Sequence, residues 1–268
     1  MRLLFLGDLV GRNARDAVIA QLPQLKAERR IDCVIVNAEN AANGFGITPQ
    51  ICQDLYAAGA DVITTGNHIW DQREIIPHIE RDTKLLRPLN FPEGTPGRGA
   101  TIVETARGQK VMVVNIMARL FMDALDDPFA ALDKLLKFHR LGGDVQAIVV
   151  DFHGEASSEK TAMGYHADGR VSLVVGTHTH IPTADTRILP KGTGYQTDAG
   201  MCASYDSVIG MDAQLAVNKF VRKMPGERLR PAEGEVTLCG VIIDTDDKTG
   251  LCTLIEPLRI GGVLKATA

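Results

Sequence analysis

Five short apolar runs in this chain each stop at a polar cluster able to ligate metal. Residues 3–6 end at Gly7-Asp8, residues 33–36 at Asn37-Ala38-Glu39-Asn40, and residues 62–64 at Gly66-Asn67-His68. Residues 147–150 run into Asp151-Phe152-His153, and residues 171–175 into Gly176-Thr177-His178-Thr179-His180. Runs this short, bounded by turn residues, read as buried strands rather than helices. Helical signals separate the strands through the first half, which predicts an α/β architecture. In α/β sheets, ligands collect outside the carboxyl ends of the strands. Segments remote in sequence would therefore deliver their side chains to one rim.

The helical signals are specific. Val18, Leu22 and Leu25 recur at helical spacing, with Pro23 expected to kink or split that helix. Thr48-Pro49 is a start signature, hydroxyl as cap and proline in the first turn, for a helix reaching about residue 59. A helix over about 71–81 carries Pro77 as a further kink. Residues 88–100 hold three prolines and three glycines and read as a loop. Residues 101–103 and 111–116 flank Gly108 as a hairpin. Asp127-Pro128 opens a helix to about residue 141, and a short helix covers about 158–165. Beyond the His-x-His run, residues 187–189, 194–197, 235–243 and 251–257 read as strands, so the tail is expected to be mostly β. No repeat or linker interrupts this pattern, and a single domain over residues 1–268 is the economical reading.

Bulk properties exclude some function classes. The 268 residues are 45% hydrophobic and 23% charged, enough apolar material for a large core. A formal net charge of −4 argues against a broad nucleic-acid surface, though a small phosphorylated ligand remains open because bound cations outweigh side chains locally. Five scattered cysteines form neither a disulfide framework nor a Cys-x-x-Cys knuckle, which suits a reducing cytoplasm. The apolar start is cut short by Gly7-Asp8, and no stretch approaches the roughly 18 apolar residues of a membrane helix. A soluble, cytoplasmic protein is the expectation.

The polar clusters carry the chemistry. Mixed carboxylate, amide and imidazole donors suit iron, manganese or zinc better than calcium or copper. They are too many for one tetrahedral zinc. One arrangement uses them all: Glu39 bridges two ions about 3.5–4 Å apart, the spacing of two-metal hydrolytic sites. Asp8, Asn40 and His180 complete one ion; Asn67, His153 and His178 complete the other. A hydroxide between the ions would be the nucleophile, and His68 could protonate the leaving alkoxide. Taken singly, Asp8 reads as a turn residue, Glu39-Asn40 as a solvated loop, and His153 as a structural histidine. Their joint occurrence at strand ends favours the site. His78, His139 and His166 lie in or near predicted helices and read as structural, and Trp70 as core or a wall beside His68.

These residues resemble the ordered blocks of the calcineurin-like metallophosphoesterase superfamily, with two departures. The first block is Asp8-Leu9-Val10, without the usual histidine, and Asn37-Ala38-Glu39-Asn40 puts glutamate at the bridging position. Those departures match the YmdB-like bacterial phosphodiesterases. That branch is also similar at Gly7-Asp-Leu-Val-Gly11, Asn67-His-Ile-Trp-Asp71, Asp151-Phe-His-Gly-Glu155 and Tyr205-Asp-Ser-Val-Ile-Gly210. The resemblance implies a four-layer αββα sandwich and a homo-oligomer, dimer or tetramer. It further implies a di-metal centre of iron or manganese (zinc or magnesium less so) hydrolysing 2′,3′-cyclic nucleotides, with His68 as proton donor. Asp8, Glu39, Asn40, Asn67, His153, His178 and His180 fall on its metal positions. The loop Asp198-Ala199-Gly200-Met201-Cys202 is expected to line the site, without an assigned role.

Two other classes compete. A regulatory protein binding a phosphorylated nucleotide or RNA end would keep the ligands but has no use for a positioned acid at His68. A di-iron redox protein would carry Glu-x-x-His pairs on helices, whereas these ligands sit on strand-end loops.

Overall fold

The structure, a computed structural model, describes residues 1–224 and 226–267. In chain order the elements are β1 (Arg2–Leu6), β2 (Asp8–Leu9), α1 (Gly11–Glu28), β3 (Cys33–Asn37), α2 (Pro49–Ala57), β4 (Val62–Thr64) and α3 (Ile75–Ile79). Then come β5 (Ala100–Glu104), β6 (Lys110–Met117), α4 (Pro128–Leu136), β7 (Ala147–His153), α5 (Ser157–Ala167) and β8 (Leu173–Thr177). The chain closes with β9 (Arg187–Ile188), β10 (Gly194–Gln196), β11 (Met201–Cys202), α6 (Ala213–Arg222), β12 (Leu238–Thr245) and β13 (Cys252–Ile260).

These strands form a five-stranded sheet, β13-β12-β1-β3-β4, a six-stranded sheet, β5-β6-β7-β8-β10-β9, and a small pair, β11-β2. The strands that end at the polar clusters run parallel to their neighbours: β1 with β3, β3 with β4, and β7 with β8. Side-chain alternation explains how the sheets stack. In β1, Leu3 and Phe5 join an apolar cluster that also holds Val111 and Val113 of β6 and Val149 of β7. Leu4 and Leu6 point the other way, onto Val18 and Leu22 of α1 and Leu55 of α2. In β7, Ile148, Val150 and Phe152 turn to Met163 and Ala167 of α5. The cluster around Phe5 and Val149 therefore belongs to both sheets, and helices cover their other faces. Each fully buried valine, leucine or isoleucine in such a cluster is worth about 1.5–3 kcal/mol.

Several expectations need correction. Pro23 lies inside α1, which remains one helix of 18 residues. Its ring is on the exposed side while Leu22 and Leu25 stay buried, so packing overrides the lost hydrogen bond. The helix expected over 71–81 shrinks to the five residues of α3, because proline is tolerated only near a helix start and Pro77 is its third residue. The helix from Asp127 stops at Leu136, well short of residue 141; Asp127 does cap it, accepting from the amides of Phe129 and Ala130 at 2.9 and 3.1 Å. Thr48 caps α2 through the Ile51 amide at 3.3 Å, as the start signature requires. The tail is not simply β. Asp212 caps α6, a helix beyond the sequence expectations, and its Val217, Phe220 and Val221 face outward.

Candidate metal centre

The strand that leads into the His-x-His run does not turn at its glycine. β8 continues through Gly176 to Thr177, and the chain turns after it, with His178 at φ 96° and His180 at φ 67°. Both lie in the left-handed region, which costs a β-carbon-bearing residue of order 1–3 kcal/mol. Two anchors hold them there. Thr179 donates from its amide (3.1 Å) and its hydroxyl (2.7 Å) to Asp198 Oδ2. His180 donates from Nδ1 to the Ile209 carbonyl at 2.8 Å, which leaves Nε2 free to ligate. Asp198, buried, also accepts from Lys160 Nζ at 2.7 Å and from the Gly200 amide at 2.9 Å. The loop at 198–202 thus braces the ligand hairpin from behind, and Met201-Cys202 pairs with Asp8-Leu9.

Six of the seven expected ligands, Asp8, Glu39, Asn67, His153, His178 and His180, reach one locus. Asp8 and Glu39 are fully buried, as is His153, while Asn67, His68 and His178 are half-buried at its rim. His153 Nε2 lies 2.9 Å from Asn67 Oδ1, 3.2 Å from Glu39 Oε1 and 3.2 Å from His178 Nδ1. Asp8 accepts from the His178 amide at 3.1 Å. Two triads can be drawn within ligating reach of a single ion, Glu39-His153-His178 and Asp8-Glu39-His180, and Glu39 belongs to both.

The donors suit cations by three independent signs. Glu39 Oε1 and Asn40 Oδ1 are buried without a hydrogen-bond partner among the described residues, while the Asn40 amide is spent on the Gly44 carbonyl at 3.0 Å. Such orphaned oxygens are costly unless something positive meets them. Gly66 forms a cradle: a Cβ there would sit 2.3 Å from both Glu39 Oε2 and His153 Nε2. Finally, Asp8 and Glu39 have no lysine or arginine ion pair among the described residues. Burial pushes the Asp8 carboxyl up to about 7, only partly offset by His180. Burial also pushes Glu39 up, but the His153 imidazole outweighs it and brings Glu39 down to about 2. Conversely burial lowers His153, and Glu39 followed by Asp8 overrides that and raises it to about 9. Burial and then His153 lower His178 to about 3. The proton that Glu39 and Asp8 favour on the His153 ring is the charge that a metal ion would displace.

Around these donors sit His68 and groups that sequence patterns did not single out. His68 donates its backbone amide to Glu39 Oε2 at 3.3 Å, and its Nδ1 lies 2.8 Å from Asp71 Oδ2. Its ring packs edge-on against Phe45, with centroids 5.2 Å apart, so Phe45 rather than Trp70 forms the wall; Trp70 packs on Phe91. Glu155 Oε2 stands 3.3 Å from His178 Nε2. The sequence signal for Asp71 and Glu155 is that each closes a motif containing an expected ligand. Two of the histidines read as structural behave so: His78 pairs with Asp82 at 3.1 Å and His166 with Asp133 at 3.0 Å. Cys52 stands near His78 and Asp82, but Asp82 already accepts from the Tyr56 hydroxyl at 3.0 Å.

The model of the YmdB-like protein family matches residues 4–258. The chain belongs to the YmdB-like family. A relative from Bacillus subtilis (strain 168), the 2′,3′-cyclic-nucleotide 2′-phosphodiesterase, is 48% identical over 97% of this chain and 97% of its own. The crystal structure of a hypothetical protein from Thermus thermophilus superposes with a TM-score of 0.90 at 40% identity, covering 98% of this chain and 100% of that one. That of a phosphatase from Mycoplasma pneumoniae gives 0.89 at 33% identity, covering 97% and 93%. The mixed α/β fold is therefore that of a family with phosphoesterase members, and this chain holds clusters of metal-ligating residue types; no helix among the described residues is long and apolar enough to cross a membrane.

Proposed function

We propose that this chain hydrolyses small phosphodiesters, 2′,3′-cyclic nucleotides foremost, at a two-metal centre with His68 as general acid. The observation that carries this reading is Glu39, the one carboxylate common to both donor triads, with His68 hydrogen-bonded to it at the rim. Asp8, Asn40 and His180 with Glu39 would hold one ion; Asn67, His153 and His178 with Glu39 would hold the other. Iron or manganese fits this oxygen-and-nitrogen donor set. When bound, the ions lower the pKa of water and take up charge on the phosphoryl oxygens. The chain's own residues supply the rest. Asp71 orients the His68 ring so that Nε2 faces the leaving oxygen, and Phe45 limits the ring's swing. Protonation of the leaving alkoxide from His68 Nε2 completes cleavage of the P–O bond.

The stacked sheets with helices outside support the four-layer αββα reading, as a single domain over residues 1–268. Exposed Phe220, Val221 and Met224 on and beyond α6 support a homo-oligomer. Five buried free cysteines support a cytoplasmic setting.

The test is turnover of 2′,3′-cyclic AMP by manganese- or iron-loaded protein, wild type beside His68→Ala. The variant should lose about 10²–10⁴-fold in kcat while keeping the wild-type metal content. A wild type that binds metal but shows no turnover would overturn the substrate class and leave a phosphate-binding regulator in its place.

A further inference from the structure

Beneath the ligands lies a buried carboxylate that the proposed chemistry does not use. Asp151, in β7 two residues before His153, is fully buried. Its Oδ2 accepts from Asn37 Nδ2 at 2.9 Å and from the Thr64 hydroxyl at 2.5 Å. Its Oδ1 accepts from the Thr177 hydroxyl at 2.7 Å. Asn37, Thr64 and Thr177 are the last residues of β3, β4 and β8. Each precedes a ligand by no more than three positions: Glu39, Asn67 and His178. One side chain therefore ties together the ends of four strands drawn from both sheets. Asn37 extends the tie, since its Oδ1 accepts from the Glu39 amide at 3.1 Å.

Hydrogen-bond counting then determines a tautomer. A threonine hydroxyl has a single proton, and Asp151, met by Asn37, Thr64 and Thr177, is the acceptor in all three contacts. The Thr177 proton goes to Asp151, so the His153 Nδ1 that lies 2.9 Å from Thr177 Oγ1 must be the donor. With a proton kept on Nδ1, the nitrogen left for a metal ion is Nε2, the atom beside Glu39 Oε1 and Asn67 Oδ1. We propose that Asp151 is a positioning residue: through Thr177 it holds His153 as the Nδ1–H tautomer with Nε2 toward the metal, and through Asn37 and Thr64 it holds the strand ends that carry Glu39 and Asn67. The inference rests on the metal-centre reading above but not on the substrate.

Manganese affinity, measured by chelator competition on the folded protein in the absence of substrate, tests it. Thr177→Val deletes the acceptor for Nδ1 at nearly constant volume and should weaken Mn²⁺ binding about 10–100-fold, the usual effect of removing a partner behind a ligating imidazole. Thr177→Ser restores the hydroxyl and should bring affinity back to within about threefold of wild type. Asp151→Asn keeps the shape but offers an amide donor to Thr177, which reverses the chain and should cost a similar 10–100-fold. Circular dichroism of each metal-free variant shows whether it is folded; were Thr177→Val unfolded, the Asp151→Asn affinity decides. Wild-type affinity in Thr177→Val or in Asp151→Asn would overturn the proposal, as would Thr177→Ser binding no better than Thr177→Val. Absence of turnover in a wild type that binds Mn²⁺ would strike the phosphodiesterase reading and leave this one standing.

Discussion

At position 66 there is no room for a methyl group. The space a Cβ would take is already filled by the oxygen of Glu39 and the nitrogen of His153, each 2.3 Å away. Gly66→Ala must therefore displace two donors that the proposed centre needs. Because the clash is with ligands, the expected outcome is a folded protein that has lost most of its bound manganese, checked by elemental analysis beside a circular dichroism spectrum. A full metal complement in the variant would count against Glu39 and His153 as ligands. His178 and His180 adopt positive φ in a turn that brings one imidazole to each of the two triads sharing Glu39, and Asp198 and the Ile209 carbonyl offset its strain.

Elements show where packing overrules local preference. Pro23 leaves the Ile19 carbonyl of α1 without its amide partner, yet the helix is unbroken because Ala14, Val18, Leu22 and Leu25 bury one continuous stripe. Since the ring is exposed and makes no core contact, Pro23→Ala should stabilise the protein by about 1–3 kcal/mol, read from the urea midpoint at constant slope. A decrease would mean that the ring packs or restrains the unfolded chain more than it harms the helix. α5 has a different task. Its Lys160 is buried against Asp198, so this helix carries the cation that balances the carboxylate behind the ligand hairpin.

For the whole molecule, the two sheets and their shared cluster bring residues 8 and 180 within one site. The same enclosure shields all five cysteines. Burial pushes the Cys239 thiol up to about 11 and Cys252 up to about 12, with Cys33, Cys52 and Cys202 pushed up as well. The sign is simple: a raised thiol pKa means less thiolate. At pH 8, Cys239 is ionised to only about one part in a thousand, and thiolate is the reactive species. An aromatic disulfide reagent should thus titrate no thiol in the native protein at pH 8 and five after denaturation. Rapid native reaction of even one would show that its cover opens readily.

Strand-end clusters and their order were legible in the chain itself, because residue type and a period of two are local properties. Asp8, Glu39, Asn67, His153 and His178 could be named before any fold was known, and so could the caps at Thr48 and Asp127. What lay beyond reach depended on partners distant in sequence. Phe45 rather than Trp70 stands against His68, because the loop after β3 folds over the site. Whether a proline breaks its helix depended on which side faced the core. The nitrogen that His153 presents followed from a hydroxyl 24 residues away and a carboxylate that gathers Asn37 from 114 residues away. Ligand identity is written in local chemistry; ligand orientation is a hydrogen-bonding problem that only the assembled strand ends can solve.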